Sequence, residues 1–509
     1  MIIDILLFYC EGRGGVEDVT TKISNGLIAK GHRVRIFQSY SPQYEEWGKN
    51  LVEFYFFGAG LPWNSSIGDY AANYNKIISK IGKPDVMLVT HEPFCNQLCY
   101  LALNEDKKEH TPLISWIHAQ VSSYARTPLI NYSDIHLAIS KGVQQGLSKF
   151  INPANIYLVG NPITTKGLTV CPRPSTGLSL LFVGRLENGG KRLDVLFNAL
   201  AKVNGPWNLK IIGNGPDYNM LNQMAKDLNI SDNIEWLGWK TKPWEEVKEA
   251  SLLLMTSDYE GFALVIAEAL SRGIPVISTK TEGPSEIITD GENGWLIDRG
   301  NSNQLADLLN KIQEKSIMLP TAEKCIASVK KYDETAVTNK IEKVLLDAYK
   351  RNQNRKVIDF LLLDESYTKE IQSIILGVYN QLIERGYRVR LFQPTYSTIF
   401  VDTDRIVERY IYGLDLNIHA PIDQYSIMYM KLISRIGNPD AILLLNRHEF
   451  NNTENNTLRD IKRKTPVISL IKLMQKTNIF METNQDLDVI DVVDNMESLF
   501  KKIFKRREI

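Results

Sequence analysis

No apolar run in this 509-residue chain approaches 18 residues, so nothing in it reads as a membrane-spanning helix. The opening strand carries Asp4 and lacks a cleavage pattern, which argues against a signal peptide. Net charge is missing as well. Lys plus Arg and Asp plus Glu both number 59, so there is no global basic field for a nucleic acid. Cysteine is scarce, five in all and scattered, and Cys95 and Cys99 have no second pair with which to make a zinc site. The expectation is reduced thiols in a cytoplasmic protein.

What the chain does have is alternation. At 44% hydrophobic content it is long enough for two or three domains with full cores. Residues 1–165 alternate strands and helices and end at a linker running through CPRPSTG at 171–177. Residues 166–350 form a second α/β unit, which the helical run 332–350 would close by crossing back to the first. Residues 351–509 make a third.

The stretch TSDYEGFALVIAEALSRGIPVISTKTEGPSEII, 256–288, is the most informative. It puts Glu260 on a loop and Glu268 in an apolar helix expected to start near Phe262. At about 1.5 Å rise per residue, Glu268 would lie roughly 9 Å into that helix, about the span from a distal phosphate to a ribose. The amides of Gly261, Phe262 and Ala263 would present the positive end of the helix dipole to a diphosphate. Two exposed glutamates on an ordinary amphipathic helix would show the same spacing. Upstream, LSLLFVGRLENGGKRLDVLFNAL, 178–200, reads as buried strand, glycine-rich turn and helix. Arg185 and Lys191 stand six apart at the carboxyl end of that strand, where open α/β sheets collect ligands. A guanidinium and an ammonium there suit a departing nucleoside diphosphate.

Three further places follow strands. Gly14 and Gly15 occupy the first strand-to-helix turn, where the lack of a Cβ lets backbone approach a phosphate or sugar. His118 ends the strand TPLISWIH, 111–118, a position that is more often structural than catalytic. Gly213 and Gly215 of IIGNGPDY, 211–218, would bring backbone near a base, without the third glycine of a dinucleotide fingerprint. Trp236 and Trp239 are a wall for a base or plain core.

Taken together, the Glu260–Glu268 spacing after the EGF turn, the Gly184-Arg185-Leu186 run with Lys191, the GGVE loop and His118 resemble family 4 retaining glycosyltransferases. Within that family PWNLKIIGNGPDY, EWLGWKTKPW and DIHLAISKG look closest to lipopolysaccharide-core α-1,6-galactosyltransferases. The resemblance covers residues 1–350. It implies a GT-B fold, two Rossmann-like domains facing a cleft. It also implies transfer of a hexose from UDP-galactose or UDP-glucose to a bacterial surface glycan or glycolipid, with neither metal nor cofactor. His118, Glu260, Arg185 and Lys191 would then be catalytic. Gly14, Gly15, Gly213, Gly261, Phe262, Ala263, Leu264 and Glu268 would hold the donor. A UDP-sugar epimerase of the same architecture, or transfer to protein or from a GDP-sugar, stays open. A glycoside hydrolase would use paired carboxylates but not the Arg/Lys pair.

The last 150 residues repeat the first domain. LIAKGHRVRIFQ at 27–38 returns as LIERGYRVRLFQ at 382–393, eight of twelve positions identical, and ISKIGKPD at 78–85 returns at 433–440 as ISRIGNPD. In register, Gly14 and Gly15 become Lys369 and Glu370, and His118 becomes Lys472, so the copy is expected to be degenerate and inert towards nucleotide sugar. DTD at 402–404 and DLD at 486–488 imitate metal motifs but read as surface. The copy is a candidate dock for a partner or a second subunit. Its basic amphipathic end, 498–507, suits either the inner membrane face or a closing helix packed on its own domain.

Overall fold

In the computed structural model the described residues are 1–353 apart from 50, 91, 104–109, 125 and 150, then 356–362, 369–385, 387–393, 409–411, 429, 439, 441–445, 467–469 and 498. The chain divides into two compact units, Met1–Gln97 with Leu113–Leu346, and Leu98–Pro112 with Asp347–Ile509.

The first unit holds two parallel sheets. Strands β1 (Ile2–Leu6), β2 (Arg33–Gln38), β3 (Phe54–Phe56), β4 (Val86–Thr90), β5 (Leu113–Ile117), β6 (Ile135–Ala138) and β7 (Ile156–Leu158) are ordered β3-β2-β1-β4-β5-β6-β7. Strands β8 (Leu178–Val183), β9 (Trp207–Ile212), β10 (Ile234–Gly238), β11 (Leu252–Met255), β12 (Val276–Thr279) and β13 (Gly294–Ile297) are ordered β10-β9-β8-β11-β12-β13. The runs are rich in Ile, Leu and Val because helices cover both faces of a parallel sheet. Phe182, Leu196, Phe197, Leu209, Ile211 and Leu254 pack together fully buried. Each such side chain contributes about 1.5–3 kcal/mol of transfer free energy. In both sheets the order reverses at the first strand, so the crevice for a ligand opens at the carboxyl ends of β1 and β8.

Helix Glu334–Gln353 leaves the second sheet for the first. Its Glu342 pairs with Lys30 at 2.8 Å and with His32 at 3.1 Å. The linker is pinned where the Ile163 amide donates to the Tyr332 carbonyl at 2.9 Å.

One strand residue is not apolar. Asp4 is fully buried in β1, accepts from Arg35 of β2 at 2.5 and 2.9 Å, and accepts from the hydroxyl of Tyr74 at 2.6 Å. The second unit repeats this arrangement. Its strands β14 (Val357–Leu362), β15 (Arg388–Gln393), β16 (Arg409–Ile411), β17 (Ala441–Leu445) and β18 (Val467–Ser469) run β16-β15-β14-β17-β18. That is the order of β3-β2-β1-β4-β5, and Asp359 accepts from Arg390 at 2.5 and 2.9 Å and from Tyr429 at 2.6 Å. The duplicated Rossmann-like core is therefore real down to one buried network. Helix Lys369–Glu384 opens where Gly14 and Gly15 stand in the first copy. Lys472, both short acidic runs and residues 499–507 lie outside the described residues. Among the described residues no helix is long and apolar enough to cross a membrane.

Candidate active site

The loops after β1, β5, β8, β9 and β11 converge on one cleft of about 930 Å³ within the first unit. It is lined by Gly14, Gly15, His118, Arg185, Lys191 and Gly213, and by Glu260 with the run from Gly261 to Leu264. Of the residues expected at the site, only Glu268 does not line it.

Helix Gly15–Ala29 begins at the glycine turn. A Cβ on Gly15 would lie 2.9 Å from the Leu264 side chain across the cleft, so this glycine lets the two halves of the site close on each other. Arg185 follows β8, is exposed, and forms no ion pair with any described residue. Lys191 ends the short helix Asn188–Lys191 and donates to Glu260 Oε1 at 2.6 Å. A cation and a carboxylate are thereby locked together at the mouth of β11. His118 lies directly after β5, its ring 4.3 Å from that of Trp116.

The helix expected to start near Phe262 starts at Leu264 and runs to Leu270, because Ala263 is left-handed at φ 63° and cannot continue it. Glu268 is consequently one turn in, not two. Its carboxylate accepts from Trp244 Nε1 at 3.0 Å. Burial pushes its pKa up, and Asp18 on the facing helix adds to that, while Lys22 and Trp244 oppose it. Of the two tryptophans, Trp236 packs on the core beside Phe197 and Tyr218, and Trp239 lines the cleft.

Arg13, Tyr44 and Asn161 also line the cleft, and no sequence motif singles them out. The Arg13 guanidinium sits between Tyr44 and Trp239, 3.3 and 3.7 Å from their ring centroids, and the two rings lie 6.4 Å apart and nearly parallel. This cation–π sandwich ties the first sheet's loops to the second's. Asn161 is buried against the cleft, and its side-chain oxygen has no partner among the described residues. Its only mark in the sequence is the Asn161-Pro162 pair, which resembles the family's interdomain linker.

A family model described as glycosyl transferases group 1 matches residues 172–332, and one described as Glycosyltransferase Family 4 matches 13–166. Lipopolysaccharide 1,6-galactosyltransferase of Escherichia coli K12 is 34% identical over 266 residues, 50% of this chain and 74% of that protein. The chain belongs to the family 4 glycosyltransferases. The corresponding Salmonella typhimurium enzyme is 32% identical over 276 residues, 52% of this chain and 72% of that one. Among solved structures, the apo lipopolysaccharide outer core galactosyltransferase WaaB aligns at TM-score 0.58 and 24% identity, covering 68% of this glycosyltransferase and 99% of that chain. Anabaena Alr3699/HepE, in complex with UDP and glucose, aligns at TM-score 0.58 and 19% identity, covering 68% and 100%. The two-sheet architecture is GT-B, with the five-stranded copy added after it.

Proposed function

We propose that this glycosyltransferase moves a hexose, galactose or glucose, from a UDP-sugar to a bacterial cell-surface glycan or glycolipid, with retention and without a metal ion. The observation that carries the reading is the convergence of Arg185, Lys191 and Glu260 on the cleft that Gly14 and Gly15 floor. Arg185 and Lys191 would take the charge that grows on the departing diphosphate, and such preorganised charge stabilisation usually lowers a barrier of this kind more than any other effect. Backbone amides of Gly261–Leu264 would add to it. Glu260, oriented by Lys191, would hold the sugar hydroxyls, and His118 would fix the ring's hydroxymethyl side. Glu268 would exchange its Trp244 partner for a ribose hydroxyl, and Gly213 would admit the base beside Trp239. The domain division proposed is 1–165, 166–350 and 351–509, the last serving recognition of an acceptor-bearing partner, a second subunit or a membrane surface rather than donor chemistry. UDP release from a panel of nucleotide sugars, with and without a lipopolysaccharide-core acceptor and in EDTA, tests the reading. Acceptor-stimulated, EDTA-resistant UDP release is expected. Conversion of a UDP-sugar to its epimer with no acceptor-stimulated UDP release would replace transfer by epimerisation, and a strict need for Mn²⁺ or Mg²⁺ would reject the metal-free mechanism.

A further inference from the structure

Beside the donor cleft the first sheet carries a cluster of aromatic rings. We propose that Trp63 in this cluster is the platform on which an uncharged sugar ring of the acceptor stacks. The inference rests on the transferase reading above and adds to it the acceptor's contact surface and chemical class.

Position comes first. Phe8 and Tyr9 follow β1, Tyr40 follows β2, Trp63 follows β3 and Phe94 follows β4. The rings therefore gather at the carboxyl ends of four neighbouring strands. Tyr9 also lines the donor cleft, and its ring centroid lies 5.4 Å from that of Trp63. A saccharide laid on Trp63 reaches the cleft past Tyr9, along the loop that carries Gly14 and Gly15. Arg185 and Lys191, which would hold the diphosphate, belong to loops of the second sheet. Donor and acceptor would thus be held by opposite sheets, with the transferred sugar between them.

Rigidity comes second. The Trp63 indole stacks on Tyr40, 5.2 Å between ring centroids and 25° between planes, and meets Phe8 and Tyr9 edge-on. Its backbone is pinned as well. The Tyr40 hydroxyl lies 3.0 Å from the Leu61 carbonyl, and the Tyr70 hydroxyl lies 3.1 and 3.0 Å from those of Pro62 and Trp63. Phe8 is wedged in turn by Tyr70 and Phe94, at 5.4 and 4.7 Å between ring centroids. With all this support Trp63 is still 58% exposed, so its neighbours fix a side chain that they do not bury. Ordering a surface ring costs conformational entropy and returns little burial, whereas a ligand gains when the ordering is already done. Rigid Trp and Tyr faces serve recognition surfaces for that reason.

Chemistry comes third. A sugar ring presents an apolar face of C–H groups edged by hydroxyls, which matches an indole beside the phenol of Tyr9. The local charge disfavours an anion. Burial pushes the Cys10 thiol pKa up, and Glu17, Glu11 and Glu92 add to it, so the ground next to Tyr9 is negative. The one cation of this loop, Arg13, is engaged between Tyr44 and Trp239. A phosphorylated or carboxylated ring would be repelled where an uncharged one is not.

Saturation-transfer NMR on the full chain with saturating UDP tests the proposal. The neutral probes are methyl α-D-glucopyranoside, methyl α-D-galactopyranoside and methyl α-D-mannopyranoside, and methyl α-D-galactopyranosiduronate is the charged one. At least one neutral hexoside should bind, with saturation concentrated on the protons of one ring face, and the uronate should bind more weakly. Trp63→Ala should weaken hexoside binding about tenfold or more, as truncation of a central aromatic contact does. Trp63→Leu, which keeps apolar bulk without the aromatic face, should do the same, and Trp63→Phe should retain most of the binding. UDP affinity should hold in all three and reports that the fold is intact. Hexoside binding that survives Trp63→Ala or Trp63→Leu, or a uronate that binds as tightly as the best neutral probe, would overturn the proposal. So would UDP binding by the wild type with no hexoside signal. Failure of the wild-type chain to bind UDP would instead overturn the donor reading, with the hexoside arm still deciding the role of Trp63.

Discussion

The catalytic assignment rests on charges whose surroundings differ from one residue to the next. Arg185 is exposed and unpaired among the described residues, while Lys191 is bound to Glu260. Replacing either by alanine should lower turnover about 10²-fold or more, because stabilisation that grows as the bond breaks is lost. Stability should be unchanged, since neither side chain packs in the core. Steady-state kinetics with urea unfolding as control checks this, and near-normal turnover in both variants would refute it. A different single residue governs pH behaviour. His136 in β6 is fully enclosed beside Ser115 of β5, with 2.7 Å between the Ser115 hydroxyl and the ring nitrogen, and burial pushes its pKa down to about 4. In the unfolded chain it would titrate near 6.5. The folded state therefore stays neutral while the unfolded state takes up a proton. Stability is full above about pH 6.5 and drains away as pH falls towards 4, by up to about 3 kcal/mol. Urea titrations at pH 7.5 and 4.5 should show a larger loss for wild type than for His136→Gln. Equal losses would show that His136 does not set the slope. The glutamate loop and the Arg/Lys turn were legible because strand ends and glycines fix where such residues must project. Arg13 was not, because its sandwich joins positions 13, 44 and 239, which no local pattern links.

Elements were legible where burial dictated pattern and illegible where one backbone angle did. The continuous apolar runs predict β1, β5 and β8 because a covered parallel strand tolerates little else. The start of helix Leu264–Leu270 was misplaced by two residues since Ala263 adopts φ 63°, a choice alanine seldom makes and composition does not announce. With the start went the geometry of Glu268, which turns to Trp244 and leaves the cleft wall to its neighbours. The buried Asp4–Arg35–Tyr74 network was also hidden, because Asp4 reads only as a charge in a strand. It ties β1 and β2 to helix Ile67–Ile81. Burial alone would drive the Asp4 pKa upwards, and Arg35 and Tyr74 work against that. Arg35→Met should cost about 3–5 kcal/mol, the penalty for stranding one member of a buried pair. Pairing it with Asp4→Leu should recover part of the loss, since Tyr74 retains the Met87 sulfur at 3.6 Å while the Ile81 and Gly82 carbonyls lose a donor. Urea midpoints of the single and double variants decide; a double variant no better than the single would mean that the charge is not what the pair is for.

At the scale of the molecule the duplication copied half of a site. Strand order and the buried Asp–Arg–Tyr network carry over at an offset of 355 residues, which drops by one at β18, so the fold of the first sheet was retained. The glycines were not, since Lys369 and Glu370 occupy their places. More decisive is what was never copied. Arg185, Lys191 and Glu260 belong to loops after β8 and β11, and the chain holds a single six-stranded sheet of that kind among its described residues. A donor site needs both sheets, so three sheets of this composition make one site. Excising the copy is a poor test of this. Leu98–Pro112 belongs to the same compact unit as residues 347–509, and Leu98, Cys99 and Leu103 are buried there. Truncation would remove most of that unit and confound binding with stability. Calorimetric titration of the intact chain with UDP avoids the difficulty. One UDP per chain is expected, falling to none detectable at the same concentrations when Arg185 and Lys191 are both replaced by alanine. Two sites in the wild type, with one surviving that double substitution, would show that the copy binds nucleotide without the second sheet.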